Sequence, residues 1–548
     1  MLVALKREVG YVKLRKKIGL ICACPIVLFL MVLFITTSAP AEAIDIGSRL
    51  ELFVDDYLVA NMQNAEYKMH PPVEQKPSNS PLPKHAGYMT ILKDNDLYRA
   101  YYRSNYPGFS GNKKYFAENP DEVTRYAKLS GHTPATIKTG KWFAGHPGEC
   151  TCYAESKNGY EWIFPNLGIY EFEGTTENNV ILANTPPLSS NFSPFIDTNP
   201  NADKSKRYKA LAGHPGYGDR RGTKGTGLHA LVSSDGIHWK DVGEVIPYPN
   251  GAFHAFDSQN VAFWSEAEQL YVCYFRSWWH FSDNSAKTLG GGSAKASGQH
   301  PDAGKADQLR SISRTTSPDF KNWSAPVEMN PNLPGEHLYT NQTHPYFRAP
   351  HIYIALPTRY AKGWLGTENV DGMLGSTDIL FMSSRAGSTT YDRTFKEAYI
   401  RPGMDVERWK SRANYVALNV QPTGPCEMSI WHQGSGCRYA LRTDGFISIN
   451  AGIKEGHMTT KPISFSGNQL QLNVSTSALG SVRVEILTAA GKPIKGFSLD
   501  ECDLVVGDKI NYTVSWNGSS DVAELAGKPI RLRFVLAEAD LYAMRFAP

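Results

Sequence analysis

The chain has 548 residues, 41% hydrophobic, 20% charged and 11% aromatic, enough apolar material for one large domain and a smaller companion, which excludes disorder, collagen-like repeats and coiled coil. Lys and Arg number 57 against 53 Asp and Glu, but residues 1–43 hold six basic and two acidic side chains, so the rest of the chain is electrically balanced. A neutral body lacks the clustered cations that phosphates demand and argues against nucleic acid as a partner.

Lys13, Arg15, Lys16 and Lys17 precede an apolar run from Ile18 to Ile35, followed by Ala41-Glu42-Ala43. This is the layout of a secretory signal. The run is also long enough to span a bilayer as an uncleaved anchor, so a membrane tether through this segment stands beside cleavage. Either way the body is exported, to the periplasm, the cell surface or the medium. Six cysteines follow the segment. Cys426 and Cys437 flank an expected hairpin and could be bridged in an oxidising compartment, whereas Cys150 and Cys152 read as buried thiols without a second pair at zinc spacing.

From residue 88 onward a short pattern recurs. Ser-x-x-Gly-x-x-Trp occurs as Ser156 to Trp162 and Ser233 to Trp239, and with Phe for Gly as Ser317 to Trp323, with weaker copies at Ser384 to Gly387 and Arg442 to Phe446. Asn-Gly and Asp-Gly permit positive φ, so each copy marks a tight turn between strands. Upstream of each lie an apolar strand and an aromatic-rich one, as in Tyr88 to Leu92 and Leu97 to Tyr102, or Asn260 to Trp264 and Leu270 to Phe275. Five such units predict an all-β fold, a five-bladed β-propeller over residues 44–449. Residues 105–148 and 278–308 are polar and Gly- or Lys-rich and are expected as long loops on one rim. Past residue 450 alternating strands such as Leu470 to Val474 and Ile530 to Phe534 predict a C-terminal β-sandwich over residues 450–548.

The segments Leu52 to Leu58 (LFVDDYL), Cys152 to Ser156, Glu336 to Asn341 and Ala440 to Phe446, together with this architecture, carry a resemblance. The chain resembles the five-bladed propeller clan of glycoside hydrolases that holds the invertase/levanase family 32 and the arabinanase/xylosidase family 43, and more closely a group of exported bacterial proteins assigned by analogy to that clan. The resemblance implies a carbohydrate substrate bound in a central funnel and cleaved by carboxylates at the starts of the innermost strands. At the position matching the clan's first-blade aspartate the chain has Lys84-His85-Ala86-Gly87-Tyr88, without a carboxylate; His85 is the candidate proton carrier there.

Asp257, leading an inner strand in Phe256-Asp257-Ser258-Gln259-Asn260, is the first candidate acid, and Glu336, ahead of Tyr339-Thr340-Asn341, is its candidate partner. Asp197 resembles the clan's second-blade aspartate that tunes the acid, although Asp-x-Asn-Pro is also a turn signal. Glu149 carries less weight, and of the adjacent Asp55 and Asp56 at most one can face the funnel. Gln259, Asn260, Tyr339 and Asn341 are candidate hydroxyl-binding groups. Arg103, Arg276, Arg348 and Arg359 lie near strand ends, where a guanidinium could bind a uronate, a sulfate or a neighbouring aspartate. Trp278, Trp279 and His280 are candidates for a stacking platform. No Gly-x-Ser-x-Gly or His-Glu-x-x-His is present, so neither serine-hydrolase chemistry, a metal nor another cofactor is expected. The expected function is an exported glycoside hydrolase; the alternative is a glycan-binding or scaffold protein that has lost the paired acids. Oligomeric state is not legible.

Overall fold

The computed structural model describes residues 42–84, 86–106, 108–213, 227–248, 255–280, 308–329, 331–333, 336–361, 375–410 and 412–548, with the side chains of 278–280 and 308 excepted. Residues 1–41 of the expected signal or anchor, which runs over residues 1–43, and His85 lie outside them. The described chain is nearly all β, with a few short helices.

Three four-stranded antiparallel sheets follow one another along the chain. The first joins Gly87–Asp94, Leu97–Asn105, Glu149–Ser156 and Val180–Ala183; the second Ser193–Ile196, Tyr208–Ala212, Leu228–Ser233 and Lys240–Ile246; the third Val261–Ser265, Leu270–His280, Gln308–Ser317 and Val327–Glu328. Next come two three-stranded sheets that share the course of one longer meander: His344–Tyr346, Ala349–Ala355 and Met382–Arg385, continued by His337–Leu338, Thr358–Ala361 and Ser376–Ile379. A further sheet pairs Gln421–Pro422, Glu427–Trp431 and Arg438–Arg442 and borrows its outermost strand, Val73–Glu74, from the beginning of the chain.

The recurrent turn is built as its composition demands. After the third strand of each of the first three sheets, the side chain of Asn158, Asp235 or Asp319 accepts a bond from the amide three residues on, at 3.0, 2.9 and 2.8 Å, and the next residue takes a positive φ of 80° at Gly159, 79° at Gly236 and 61° at Phe320. The short polar side chain thus replaces the ladder partner that the backbone loses on turning.

The first strands of the sheets face a common centre. Gln259 donates to Thr90 Oγ1 at 2.7 Å and accepts from Gln342, which also donates to the Val416 carbonyl at 2.8 Å. Leu418 bridges in parallel to Thr90. Four stretches, around Thr90, Gln259, Gln342 and Val416, therefore meet there; the end at which the first strands start is the upper end, and the end of the first hairpin turns the lower.

A ten-stranded sheet completes the body, with Gln469–Thr488 and Ile530–Ala547 as its long members. It also takes in Ile44–Gly47, Glu51–Leu52, Val59–Gln63 and Glu66–Met69 from the start of the chain. Its apolar face, including Val474, Val484, Leu532 and Phe534, forms a separate core that Trp516 joins.

Two expectations need correction. Residues 105–148 are not a plain loop: they form the short helices Asn112–Glu118, Glu122–Ser130 and Pro134–Lys138, which bury Phe116, Val123, Tyr126, Ile137 and Phe143 against one another. Overall polarity hid a helical spacing of a few large apolar residues. Cys426 and Cys437 are both free thiols. The ladder from Glu427 opposite Arg442 to Trp431 opposite Arg438 places them at opposite ends of the hairpin, roughly 20 Å apart at the rise of a strand and far beyond disulfide reach. Cys150 and Cys152 share one strand face, with their sulfurs 3.7 Å apart.

Candidate functional site

At the upper end the chain enters its first strands through residues with left-handed backbones. Tyr88, Asn191, Phe256 and Arg412 have φ of 44°, 57°, 67° and 61°, a conformation that costs a residue with a Cβ about 1–2 kcal/mol. Beside them stands a floor of partly exposed tyrosines: Tyr88, Tyr339, Tyr360 and Tyr415. Tyr339 is central, with its ring 5.6 Å from Tyr415 and 6.2 Å from Tyr360. Tyr88 meets Tyr415 edge to face at 6.3 Å.

Guanidinium groups lie on these rings. Arg276 and Arg310 stand 4.8 and 5.3 Å from the Tyr339 centroid, Arg310 also 5.6 Å from Tyr360, and Arg103 4.6 Å from Tyr88. Arg412 stands near Tyr339 and Tyr415. Burial, reinforced by Tyr339, holds the Tyr88 phenol well above its ordinary range, and burial does the same for Tyr415; both are neutral donors at neutral pH.

Asp257 belongs to this ring. It is ion-paired to Arg276, whose side chain is buried while that of Asp257 is 20% exposed. The Phe256 amide donates to the Arg276 carbonyl at 2.9 Å, which fixes the preceding turn against that strand. Glu149 opens the third strand of the first sheet, accepts from the Gly145 amide at 3.3 Å and lies 4.0 Å from His146 Nε2, with 3% of its side chain exposed. Burial holds the His146 imidazole below its ordinary value, against the pull of Glu149. Both Glu149 and Asp257 attract Arg103, which also reaches Ser190 and Asn191 at 3.4 Å.

The other sequence candidates fall elsewhere. Glu336 is at the upper end but its carboxylate is fully buried, held by Arg393 at 2.5 Å and by Arg359 at 3.8 Å. Asp197 is at the lower end, since Ile196 pairs with Tyr208 at the hairpin turn; it binds Lys209, accepts from Tyr271 at 2.8 Å and caps the Asn199 amide at 3.0 Å. Arg348 is also at the lower end, paired with Asp444. Gln259, Asn260 and Asn341 are buried: Gln259 in the central polar chain, Asn260 on the Ser258 carbonyl at 3.0 Å, Asn341 on the Tyr274 carbonyl at 3.3 Å. Asp55 is bound by Arg385 and Asp56 by Tyr67. His85 and the side chains of Trp278, Trp279 and His280 lie outside the described residues.

The site therefore joins Asp257, Glu149, Arg103, Arg276 and Tyr339, which the sequence singled out, to Tyr88, Arg310, Tyr360, Arg412 and Tyr415, which it did not. The missed residues share no single position in the sequence: Tyr88, Arg310 and Tyr360 lie within strands, and Arg412 and Tyr415 in the stretch that precedes Gln421–Pro422. Two cavities lie away from this ring, one of about 280 Å³ at the lower end beside His344 and Tyr346, the other of about 550 Å³ between Val73 to Ser78 and Trp162.

No protein-family model matches the chain, and no curated protein matches it. Solved structures with a similar course include a glycoside hydrolase at 10% identity and TM-score 0.37, covering 68% of this chain and 91% of its own. A glycoside hydrolase family 43 arabinoxylan arabinofuranohydrolase from Bacillus subtilis in complex with cellotetraose covers 87% and 99%, at 12% identity and TM-score 0.34. An N-acetylgalactosamine deacetylase from F. plautii in complex with blood group B trisaccharide covers 86% and 95%, at 10% identity and TM-score 0.35. Glycoside hydrolases are thus among the structural neighbours, and so is an enzyme of different chemistry; function has to be read from the site.

Proposed function

We propose that the successive sheets are the blades of a five-bladed β-propeller closed by Val73–Glu74, that the ten-stranded sheet is a β-sandwich, and that the chain is an exported glycoside hydrolase working at the upper end. The observation that carries this reading is Asp257: a carboxylate with an open face, held in orientation by buried Arg276, on a floor of tyrosine rings suited to a sugar's faces and hydroxyls. Hydrolysis adds water across the anomeric C–O bond. One carboxyl group gives its proton to the leaving oxygen and a second carboxylate takes one from the attacking water or attacks the anomeric carbon itself. Asp257 is the group in contact with the sugar, and Glu149, across Arg103, is its partner in place of Glu336.

One observation favours the second reading, a glycan-binding protein: Glu149 and Glu336 are buried to 3% and 0% side-chain exposure, which leaves Asp257 as the open carboxylate of the three. Release of reducing ends from a panel of plant and algal polysaccharides by the full chain separates the two. Asp257→Asn and Glu149→Gln are expected to lower the rate about a thousandfold, whereas Glu336→Gln lowers stability and leaves the rate of folded protein within a few-fold. No release from any polysaccharide, with binding retained, establishes the binding protein instead.

A further inference from the structure

We infer that His146 is a positioning residue of the reaction, its Nε2–H orienting Glu149 from the Oε2 side while the Gly145 amide holds Oε1. This deepens the reading above and rests on it for the part that Glu149 plays. Residues 143–149 close on themselves: the His146 amide donates to the Phe143 carbonyl at 3.2 Å, and the Glu149 amide to the His146 carbonyl at 2.9 Å. The turn thereby carries the imidazole back to the carboxylate that opens the next strand. Two glycines make it possible. Gly145 has φ 75°, and a Cβ there would stand 2.5 Å from Pro186 Cα; a Cβ at Gly148 would stand 2.1 Å from Phe109 Cδ1. Phe109 comes close enough to stack on the imidazole with ring centroids 5.4 Å apart, and Trp142 and Phe143 meet it edge to face at 6.2 and 6.3 Å.

One bond sets the tautomer. The Gly148 amide donates to Nδ1 at 3.2 Å, so Nδ1 keeps its lone pair and the proton sits on Nε2, 4.0 Å from Glu149 Oε2. A second proton, on Nδ1, would face that amide donor against donor. The aromatic walls oppose it too: burial lowers the imidazole's affinity for a second proton, Glu149 raises it and Arg103 lowers it, these two being the charged groups that act on the ring. His146 is therefore a neutral donor. A carboxylate that takes a proton from water, or attacks carbon, reacts along a lone pair whose direction must be fixed. One N–H on each oxygen fixes it and leaves the other lone pairs for the reaction. At 4.0 Å the Nε2 contact is longer than a hydrogen bond, the state from which such contacts tighten when substrate binds.

Two substitutions separate this duty from packing, because each keeps the work of one ring nitrogen. In His146→Asn the amide oxygen can take the Gly148 bond in place of Nδ1, while nothing reaches Glu149; in His146→Gln the amide nitrogen can donate to Glu149 in place of Nε2. With the polysaccharide that the full chain cleaves, His146→Asn is expected to lower kcat about tenfold or more with KM within about threefold. It also moves the acidic limb of the rate–pH profile to higher pH, since the charged carboxylate has lost a donor; His146→Gln recovers most of the rate and returns the limb. A second measurement needs no activity. In nitrogen NMR of the full chain with isotope-labelled histidine, the His146 signals, assigned by their loss in His146→Asn, are expected to show the proton on Nε2 at neutral pH. The imidazole is expected to take up its second proton at lower pH in Glu149→Gln than in the wild type. Unchanged kinetics in folded His146→Asn, equal losses in His146→Asn and His146→Gln, a proton on Nδ1, or proton uptake unaffected by Glu149→Gln each overturns the inference. A wild-type chain that releases no reducing ends removes the hydrolase, and the nitrogen signals with their response to Glu149→Gln then decide by themselves whether His146 orients Glu149.

Discussion

A glycine in the repeated turn has two separable duties, and two copies of the turn isolate them. Gly236 has φ 79° and a Cβ there would stand 2.7 Å from Tyr101 Oη, whereas Gly387 has φ 80° with nothing within 4 Å of the same atom. Gly387→Ala is expected to cost only the backbone term, about 1 kcal/mol. Gly236→Ala adds a clash with a buried tyrosine of the preceding sheet, and about 3 kcal/mol in all is expected from urea unfolding. Equal losses would mean that the turn of the second sheet does not bear on the first. The same resolution applies to carboxylates: exposure, rather than residue type, divides Asp257, with 20% of its side chain exposed, from fully buried Glu336, whose carboxylate is held by Arg393 and Arg359.

Between elements, one clasp recurs at the lower end. An acid in the first hairpin turn of each sheet accepts from a tyrosine in the second strand of the next: Asp94 from Tyr208, Asp197 from Tyr271 at 2.8 Å, Glu268 from Tyr353 at 2.6 Å. A cation joins each, namely Arg207, Lys209 and Arg314. Asp444 with Tyr346 and Arg348 repeats the chemistry between the last two sets of strands. Asp197 is thus one copy of a device that holds sheet to sheet. Tyr271→Phe removes one donor from a buried carboxylate and is expected to cost about 1–2 kcal/mol in denaturant unfolding without changing glycan affinity; an affinity change would return Asp197 to the site. The LFVDDYL segment does related work. Glu51 and Asp55 grip Arg385, which stands 4.1 Å from the Tyr57 ring, and His351 bonds Glu51 at 3.1 Å. Arg385→Met takes from buried Asp55 its ion-pair partner and leaves Glu51 with Arg49 and His351, so a loss of about 3 kcal/mol is expected.

For the molecule as a whole, these buried groups set an acid limit. His344 donates from Nδ1 to the Gln342 carbonyl at 2.9 Å and accepts the Val420 amide on Nε2 at 3.0 Å, so protonation would set two donors face to face. Burial holds His344 down at about 4 and His432 at about 3, from 6.5. The unfolded chain takes up these protons near pH 6.5 while the folded chain refuses them, so stability falls as pH drops from 6.5 towards 4 and 3. Glu51 is held at about 2, from 4.5, by His351 and Arg385 against the upward push of burial; its contribution is complete above pH 4.5 and is lost as pH falls towards 2. Each group is worth on the order of 3 kcal/mol. The urea midpoint is expected to fall steadily from pH 6.5 downwards; a flat profile between pH 7 and 4 would contradict neutral, buried His344 and His432.

The strands and their turns are legible in the sequence because they rest on local chemistry. Ser-x-x-Gly-x-x-Trp can be recognised wherever it stands, as Asn158, Asp235 and Asp319 confirm by forming the same bond three times. Asp257 is legible for a like reason: it sits at a fixed offset from a strand that the repeat locates. What a carboxylate does is not local. Asp257, Glu336 and Asp197 share a position beside an inner strand in the sequence, yet Arg276, Arg393 and Lys209 arrive from elsewhere in the chain and decide which one keeps an open face. The tyrosine and arginine floor and the strands of residues 44–74 that return to the last sheets were likewise decided by tertiary structure, since each depends on contacts between residues far apart in sequence, whose free energy no local pattern records.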